Sequence, residues 1–431
     1  MTAEIAILNR YGVAVAADSA VTLTSDAKVY NTANKILPLS IDPPIVVMFY
    51  GASSLGPIPW ETIVQEYKRL NQSIQLSTVE EHGSHFIDFL SQMTRHISSE
   101  IQTNFVRNEI LHELEQLSYL ARSSLGTYIR SHPGTRSEKL NYFLHQLQEV
   151  VRSRIEYLAE IGPVSGLDEG KAFRQLDLAL QNWELFDKKI DDWDDLLDIW
   201  FSQRPELLMQ GEGILNRAIR QDIGRMTIQN LRTAHWSTGS TGMVVTGFGK
   251  DQIFPSLAHW IIDQMMDDVV KTRQLEMIEI NDAKSSAILP FAQQHEISKT
   301  LIDGIHPKIL EVHYKQIEKM LKAQAKIISE RIKNRTPDSI STPLMKDLQG
   351  LSEVVLRNAH DEMEAMIRQY SLPLVELVAG LPKEHLGEMA ETLVSLASFK
   401  EKFTPGAESI GGPIDVAVIS RGEGLVWFKH K

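Results

Sequence analysis

Thr2, which directly follows Met1, is the first residue of the sequence that could act as a nucleophile. A small second side chain favours removal of the initiator methionine, and removal would leave Thr2 with a free α-amino group. An α-amine has an unperturbed pKa of roughly 7.7–8.0, so it can accept a proton near neutral pH, whereas a threonine hydroxyl alone is a poor nucleophile. A threonine that carries its own base is a recognised nucleophile. Many proteins begin with Met-Thr, however, so this residue alone does not indicate an activity.

Asp18 is a second candidate, because it ends the apolar run Val13–Ala17. A carboxylate at the end of a buried strand is costly unless it has a cationic partner. The plainer alternative is that Asp18 caps a turn.

Apolar runs separated by turn residues predict the strands that would position these side chains. In the first 75 residues the runs are Thr2–Leu8, Val13–Ala17, Val29–Leu39 and Ile45–Tyr50, and a helix is predicted from about Pro59. Later strands are predicted at Thr241–Gly247, Phe254–Ile262 and Leu275–Ile280. Near the end, Pro413–Ile419 and Leu425–Phe428 flank a glycine-containing turn, which predicts a β-hairpin.

Helical periodicity dominates residues 76–232 and again residues 306–379, which we interpret as two helical insertions. Without them, residues 1–75, 233–305 and 380–431 form a core whose strands occur in antiparallel-looking pairs. The predicted fold class is therefore α+β, with two packed sheets and helices outside them.

Composition disfavours several classes of site. The absence of cysteine excludes disulfides, thiolate zinc sites and cysteine nucleophiles. The net charge of −12 disfavours nucleic acid as a partner, and no histidine pair has metal-ligand spacing, so we expect no metal. The glycine-rich segment GSTGMVVTGFGK matches neither a P-loop nor a dinucleotide fingerprint, so we expect no cofactor.

We also expect no association with a membrane and a cytoplasmic location. No apolar run approaches the roughly 20 residues that a membrane helix needs. Glu4, Asn9 and Arg10 interrupt the first apolar residues, unlike the pattern of a signal peptide.

Four segments together resemble the β-subunits of proteasomes. YGVAVAADSAVTL is followed by NKILPL and IVVMFYGASSLG, and IGGPIDVAVISRGEGLVWF lies near the end. The family has the same order: an apolar strand ending in Ala-Asp-Ser, a lysine before isoleucine, an apolar strand ending in glycine, and a closing hairpin. The segments AADSAVT and PWETI are similar to those of bacterial proteasome-like proteins. The resemblance implies an N-terminal-nucleophile (Ntn) hydrolase, a four-layer αββα sandwich of two antiparallel sheets, here with large helical insertions.

The resemblance also implies a catalytic role for each matched residue. Thr2 would be the nucleophile. Lys35 would lower the pKa of the Thr2 hydroxyl and the basicity of the α-amine, and Asp18 would keep Lys35 charged and oriented. The alternative for Lys35 is a solvated charge at a strand edge.

Three further residues match the family's active-site segments. Gly51 would donate its backbone N–H to the oxyanion of the tetrahedral intermediate. Ser19 and Thr22 would line the substrate pocket. The alternatives are an ordinary glycine at a strand end and two surface residues.

Two parts of the family pattern have no counterpart in place. One is the Gly-Ser-Gly start of a helix, near which only Ser285, Ser286 and Gln293 lie. The other is an acid and a serine close to the end of the chain. The family has an acid and a serine just before Gly-Gly, but Ile410 precedes Gly411-Gly412 here. Ala407 stands where the acid should be, and Glu408 and Ser409 are displaced by one residue. The residue that supports the Thr2 amine is therefore not assigned.

The activity that the resemblance implies is amide-bond hydrolysis, most directly by a threonine endopeptidase. The substrate would be a peptide or a small amide. The alternatives are a small-amide hydrolase or acylase on the same fold, and a catalytically silent scaffold that retains Met1. The family also implies assembly into a homo-oligomer, in which residues 76–232 would restrict access to Thr2.

Overall fold

Two five-stranded antiparallel sheets lie at the centre of the structure, which is a computed structural model. It describes residues 3–23, 28–30, 34–93, 96–110, 112–113, 116, 136–162, 164, 168–180, 217–237, 239–266, 269–292, 300–333, 338–403 and 412–431. The strands in chain order are β1 (Ala3–Asn9), β2 (Gly12–Asp18), β3 (Val21–Leu23), β4 (Lys28–Tyr30), β5 (Ile36–Ser40), β6 (Ile45–Gly51), β7 (Ser54–Leu55), β8 (Ile58–Pro59), β9 (Thr241–Gly247), β10 (Ser256–Met266), β11 (Val269–Glu279), β12 (Ser286–Ala292), β13 (Ile414–Ser420) and β14 (Gly424–Lys429).

The two sheets combine strands from both ends of the chain. The first sheet has the order β12–β1–β2–β13–β14, and the second has the order β11–β10–β9–β6–β5. Every neighbouring pair in both sheets is antiparallel. The predicted α+β class is therefore confirmed, with two antiparallel sheets. β3 pairs with β4 and β7 with β8 in two small separate hairpins.

Most predicted strands are present. One is divided, the strand predicted at Leu275–Ile280 begins earlier, at Val269, and four observed strands (β3, β7, β8 and β12) have no predicted counterpart. The predicted strand Val29–Leu39 is divided, because β4 ends at Tyr30 and β5 begins at Ile36. β12 was not predicted, and it contains Pro290, which argues against a central strand. β12 is an edge strand that pairs only with β1, and edge strands are the positions in a sheet where proline is tolerated.

Each sheet is buried on both faces. Alternate side chains of β1 and β2, such as Leu8 and Val15, lie in one cluster with Met48 and Val244 of the second sheet, so the two sheets pack face to face. The other side chains of β1, β2 and β13 pack in a second cluster with residues 386–394. The opposite face of the second sheet packs in a third cluster with residues 60–67 and 79–93.

The helices in chain order are α1 (Trp60–Leu70), α2 (Val79–Met93), α3 (Arg136–Ile161), α4 (Glu169–Leu180), α5 (Arg217–Arg232), α6 (Pro307–Lys333), α7 (Asp338–Ala379) and α8 (Lys383–Lys402), and residues 99–110 are also helical. α1 begins after Pro59, as predicted, with Glu61 in its first turn and Lys68 and Arg69 in its last, where each sign of charge favours the helix dipole. α2 packs on the second sheet, whereas α3 and α4 pack against α5.

α6 and α7 form an antiparallel helical hairpin. The Tyr314 ring of α6 lies 4.7 Å from the His360 ring of α7. Gly304, just before α6, lies so close to Tyr370 of α7 that a Cβ there would meet its ring. The contacts therefore move toward the start of α7 as α6 proceeds, which shows that the two helices run in opposite directions. The hairpin also exposes large apolar side chains: Ile309, Val312, Met320, Ile327, Leu351 and Met366.

A buried polar network connects the β10–β11 hairpin to neighbouring helices. Lys271 of β11 donates from Nζ to the Asn230 carbonyl (2.9 Å) and lies 3.9 Å from Asp263 Oδ2 of β10. Asp263 Oδ1 accepts a hydrogen bond from Ser237 Oγ at 2.6 Å. Glu109, in the helix of residues 99–110, has a pKa of about 7. Burial is the main cause of this rise and the charge of Asp263 adds to it, whereas the charge of Lys271 lowers the pKa.

Candidate active site

Asp18 and Lys35 form a buried ion pair. Lys35 Nζ lies 2.8 Å from Asp18 Oδ1, and the two residues are 7% and 1% exposed. Asp18 Oδ1 also accepts a hydrogen bond from Ala3 N at 2.7 Å, and Asp18 Oδ2 accepts one from Ala20 N at 3.3 Å. The carboxylate therefore has a cation and two backbone donors, which compensate for the loss of water around a buried charge.

The two sheets bring this pair together. Asp18 is the last residue of β2, opposite Ile414 of β13 in the first sheet. Lys35 precedes β5 in the second sheet, and its carbonyl accepts a hydrogen bond from Phe49 N of β6 at 3.3 Å. The ion pair therefore joins the two sheets at one end of their interface.

Gly51 ends β6 with a backbone conformation that favours glycine. Its φ is +89°, and a Cβ at this position would lie 2.4 Å from the Ser240 carbonyl oxygen. Ala52 N donates to that same oxygen on the β9 side (3.2 Å), whereas Phe49 N donates to Lys35 O on the β5 side (3.3 Å). Successive N–H groups of a strand point to opposite edges, so the Gly51 N–H points toward the β5 side, where Lys35 lies.

The other predicted site residues have different placements. Ser19 is buried, and its Oγ donates to the Pro413 carbonyl at 2.7 Å, which ties the end of β2 to the start of β13. Thr22 lies in β3, opposite Val29 of β4. Thr2 lies outside the described residues, as do residues 404–411, which include Glu408 and Ser409.

Glu4 is a candidate that sequence reasoning missed. It shares the face of β1 with Leu8, toward the cluster between the two sheets. Glu4 is fully buried, and neither of its carboxyl oxygens has a hydrogen-bond partner among the described residues. The sequence feature that could have identified Glu4 is that it is the single charged residue on an otherwise apolar strand face, in the segment AEIAILN.

Burial raises the pKa of Glu4 well above its usual value. The nearby charge of Lys35 lowers this pKa, and that of Asp18 raises it. Glu4 is therefore electrostatically coupled to both members of the ion pair, and its buried environment favours the neutral carboxyl.

Tyr50 of β6 and His259 of β10 make a polar side-chain contact across β9 in the second sheet. The Tyr50 hydroxyl lies 2.7 Å from His259 Nε2, and the Phe291 ring packs beside both rings. Burial lowers the pKa of His259 to about 4, so this imidazole is neutral at neutral pH. Burial, and then the charge of Glu4, raise the pKa of Tyr50. A Cβ at Gly242 would lie 1.9 Å from Tyr50 Cζ, so the glycine makes room for the ring next to Gly51.

The last residues of the sequence lie near the ion pair. Asp415 of β13 is buried and accepts hydrogen bonds from Lys431 N (3.0 Å) and His430 Nδ1 (3.1 Å). Burial, and to a smaller extent the charge of Lys35, lower the pKa of Lys431, while Asp415 opposes that shift. Two carboxylates, of Asp18 and Asp415, and two lysines, Lys35 and Lys431, therefore lie near the end of β2 and the start of β13.

Chemically, this arrangement can hold an ammonium in a protein interior, and a backbone N–H points to the edge of β6 on which the lysine lies. Among the residues that the structure describes, no group of three or more histidine or carboxylate side chains is arranged to hold a metal ion. None of the described helices is both long and apolar enough to cross a membrane. The sequence matches no protein-family model, and a search of curated proteins finds no significant match.

Proposed function

We propose that the protein is an amide-bond hydrolase of the Ntn type, in which removal of Met1 frees Thr2 to act as the nucleophile. The α-amine of Thr2 accepts the hydroxyl proton while the hydroxyl oxygen attacks the carbonyl carbon of the substrate. The protonated amine then gives that proton to the leaving nitrogen, and an acyl-enzyme ester forms. Water hydrolyses the ester and regenerates the threonine. A peptide is the substrate class that we propose first.

The observation that carries this proposal is the position of the buried ion pair beside Ala3. Ala3 N lies 2.7 Å from Asp18 Oδ1, which lies 2.8 Å from Lys35 Nζ. The carbonyl carbon of Thr2 is bonded to Ala3 N at about 1.33 Å. Thr2, the proposed nucleophile, is therefore joined by one peptide bond to Ala3, whose N–H binds the carboxylate that holds the buried ammonium. Such a charge lowers the pKa of a neighbouring hydroxyl and thus makes it a better nucleophile.

Gly51 supports the second requirement of acyl transfer, a donor for the oxyanion. Its N–H points to the side of the sheet on which Lys35 lies, and its positive φ excludes most other residues. A fixed N–H beside the lysine would stabilise the negative charge of the tetrahedral intermediate more than the neutral substrate carbonyl.

The packing of the sheets supports assigning the fold as the αββα sandwich of Ntn hydrolases. α8 packs on β1 and β2 of the first sheet, the two sheets share an apolar interface, and α1 and α2 pack on the second sheet. In that fold the nucleophile precedes the first strand of a sheet, which is where the chain places Thr2 relative to β1.

Hydrolysis of a panel of fluorogenic peptides and small amides tests this function. Thr2→Ala should abolish hydrolysis without unfolding the protein, because it removes the hydroxyl and leaves the backbone unchanged. Thr392→Ala, at an exposed position of α8, is the matched control and should keep the parental rate. Parental activity in the Thr2→Ala protein would rule out Thr2 as the nucleophile.

We also propose that the chain assembles into a homo-oligomer. The large apolar side chains exposed along α6, among them Ile309, Met320 and Ile327, support this proposal. They recur at intervals of 11 and 7 residues, which places them on one side of the helix, and exposed apolar side chains grouped on one helix face are typical of protein–protein interfaces.

A further inference from the structure

Glu4 is fully buried, and its carboxyl group makes no hydrogen bond to any residue that the structure describes. It lies two residues after Thr2 on β1, and its neighbours in the adjacent strands, Ala17 of β2 and Phe291 of β12, offer no polar side-chain atoms. Burying a polar group without a partner costs free energy. A group of this kind in a native interior therefore calls for an explanation, and a role in catalysis is one of the few available.

The ionisable groups around Glu4 come from four strands or strand ends. Asp18 comes from the end of β2 and Lys35 from the residue before β5, and both charges act on Glu4. Tyr50 of β6 is affected in turn by Glu4, and its hydroxyl contacts His259 of β10. His259 is neutral at neutral pH, because burial lowers its pKa to about 4. The charges that act on Glu4 are therefore those of Asp18 and Lys35, while Lys431 and Asp415 lie beyond the ion pair and the α-amine of Thr2 is two residues away along the chain.

We infer that Glu4 acts on the proposed site through its charge: its carboxyl group is held neutral during catalysis, and its ionisation slows the reaction at alkaline pH. This inference rests on the proposed function, because it concerns the site that contains Thr2.

The reason is the net charge beside the nucleophile. When Glu4 is neutral, the charges of Asp18 and Lys35 cancel. When Glu4 is ionised, one negative charge is in excess, and it opposes both the Thr2 alkoxide and the oxyanion that form in the transition state. A unit charge within roughly 10 Å, at an effective dielectric constant near 20, changes the rate by about tenfold or more.

The first measurement is the rate at which a β-lactone acylates the full-length protein as a function of pH. The wild-type rate should fall about tenfold on the alkaline side. Glu4→Gln has the same shape and cannot ionise, so its rate should stay at the plateau. Glu279→Gln, the same change at an exposed position of β11, should follow the wild type. An alkaline fall in Glu4→Gln equal to that of the wild type overturns the inference, as does a folded Glu4→Gln protein that is not acylated at any pH.

The second measurement is the infrared C=O stretch of a protonated carboxyl group, which does not depend on catalysis. We expect a band at neutral pH in the difference between the wild type and Glu4→Gln, and the same band between Thr2→Ala and its Glu4→Gln double variant, and we expect this band to disappear at alkaline pH; Glu109, whose pKa is about 7, contributes equally to both spectra and cancels. If the Gln variant does not fold, Glu4→Leu replaces it in both measurements. Absence of the band at neutral pH overturns the inference even where Thr2 is acylated. A wild-type protein that is not acylated at any pH instead shows that the proposed function fails, and the inference fails with it.

Discussion

Asp18 Oδ1 lies 2.8 Å from Lys35 Nζ, and both side chains are almost completely buried. The same oxygen accepts a hydrogen bond from Ala3 N at 2.7 Å. One carboxylate oxygen thus binds an ammonium of the second sheet and the backbone next to Thr2 in the first.

Removing either member of the ion pair should abolish or strongly reduce hydrolysis. Lys35→Ala removes the charge that lowers the pKa of the Thr2 hydroxyl. Asp18→Asn removes the carboxylate that keeps the Lys35 side chain charged and oriented. Each change also leaves a buried partner uncompensated, so the free energy of unfolding should fall by about 3–5 kcal/mol. Kinetics and thermal melting are measured on the same samples.

The matched control is Lys429→Ala, which breaks the exposed pair with Glu391 (2.6 Å) on the surface of the same domain core. Exposed pairs contribute about 0–1 kcal/mol, so melting and activity should hardly change. A folded Lys35→Ala protein with full activity would contradict the role of Lys35.

Gly51→Ala should lower both stability and activity. Alanine at φ +89° is strained, by about 1–3 kcal/mol, and its Cβ would meet the Ser240 carbonyl. The shift needed to relieve that contact moves the N–H that we assign to the oxyanion. Gly422→Ala, in the β13–β14 turn with no atom near its Cβ, is the control and should behave as the wild type. Equal acylation rates in both variants would argue against the assignment of Gly51.

Glu109→Gln should change the pH dependence of stability. The pKa of Glu109 is about 7 in the folded chain and roughly 4.3 when unfolded. Its contribution to stability is therefore fully present below pH 4.3 and is lost as the pH rises to 7. Relative to the wild type, Glu109→Gln should become more stable over that interval, and the difference should level off above it. Urea unfolding at a series of pH values measures this, with exposed Glu100→Gln as control; a difference independent of pH would contradict the prediction.

Self-association should depend on the exposed apolar side of α6. Light scattering should give a mass that is a multiple of 48.7 kDa. Met320→Glu should reduce that mass, because it places a charge in an apolar contact, whereas Lys326→Gln, the same change in net charge at an exposed position on another side of the helix, should not. A wild-type mass equal to that of the single chain at micromolar concentration would contradict assembly.

Strand positions could be predicted where an apolar run is bounded by turn residues, as in β1, β2, β6, β9, β13 and β14. β12 could not, since Pro290 is unfavourable in a strand unless the strand lies at an edge, and edge position depends on the whole sheet. The division between β4 and β5 was missed for a similar reason, because an apolar run does not show where pairing stops.

Asp18 and Lys35 were predicted as partners only through the family resemblance. Their separation of 17 residues includes a hairpin and a change of sheet, and sequence alone does not give a distance across two sheets. The Tyr50–His259 contact spans 209 residues and had no local signal. Glu4 did have one, a charge on an apolar strand face, but burial by the second sheet decides whether such a charge is solvated or enclosed.

The most direct test of the account is the intact mass of the purified protein before and after exposure to a β-lactone, followed by mapping of the modified residue. We predict a chain that lacks Met1, gains one acyl adduct, and carries it on Thr2, with no adduct in Thr2→Ala or in folded Lys35→Ala. A chain that keeps Met1, or an adduct at another residue that persists in Thr2→Ala, would contradict the assignment of Thr2 as an N-terminal nucleophile.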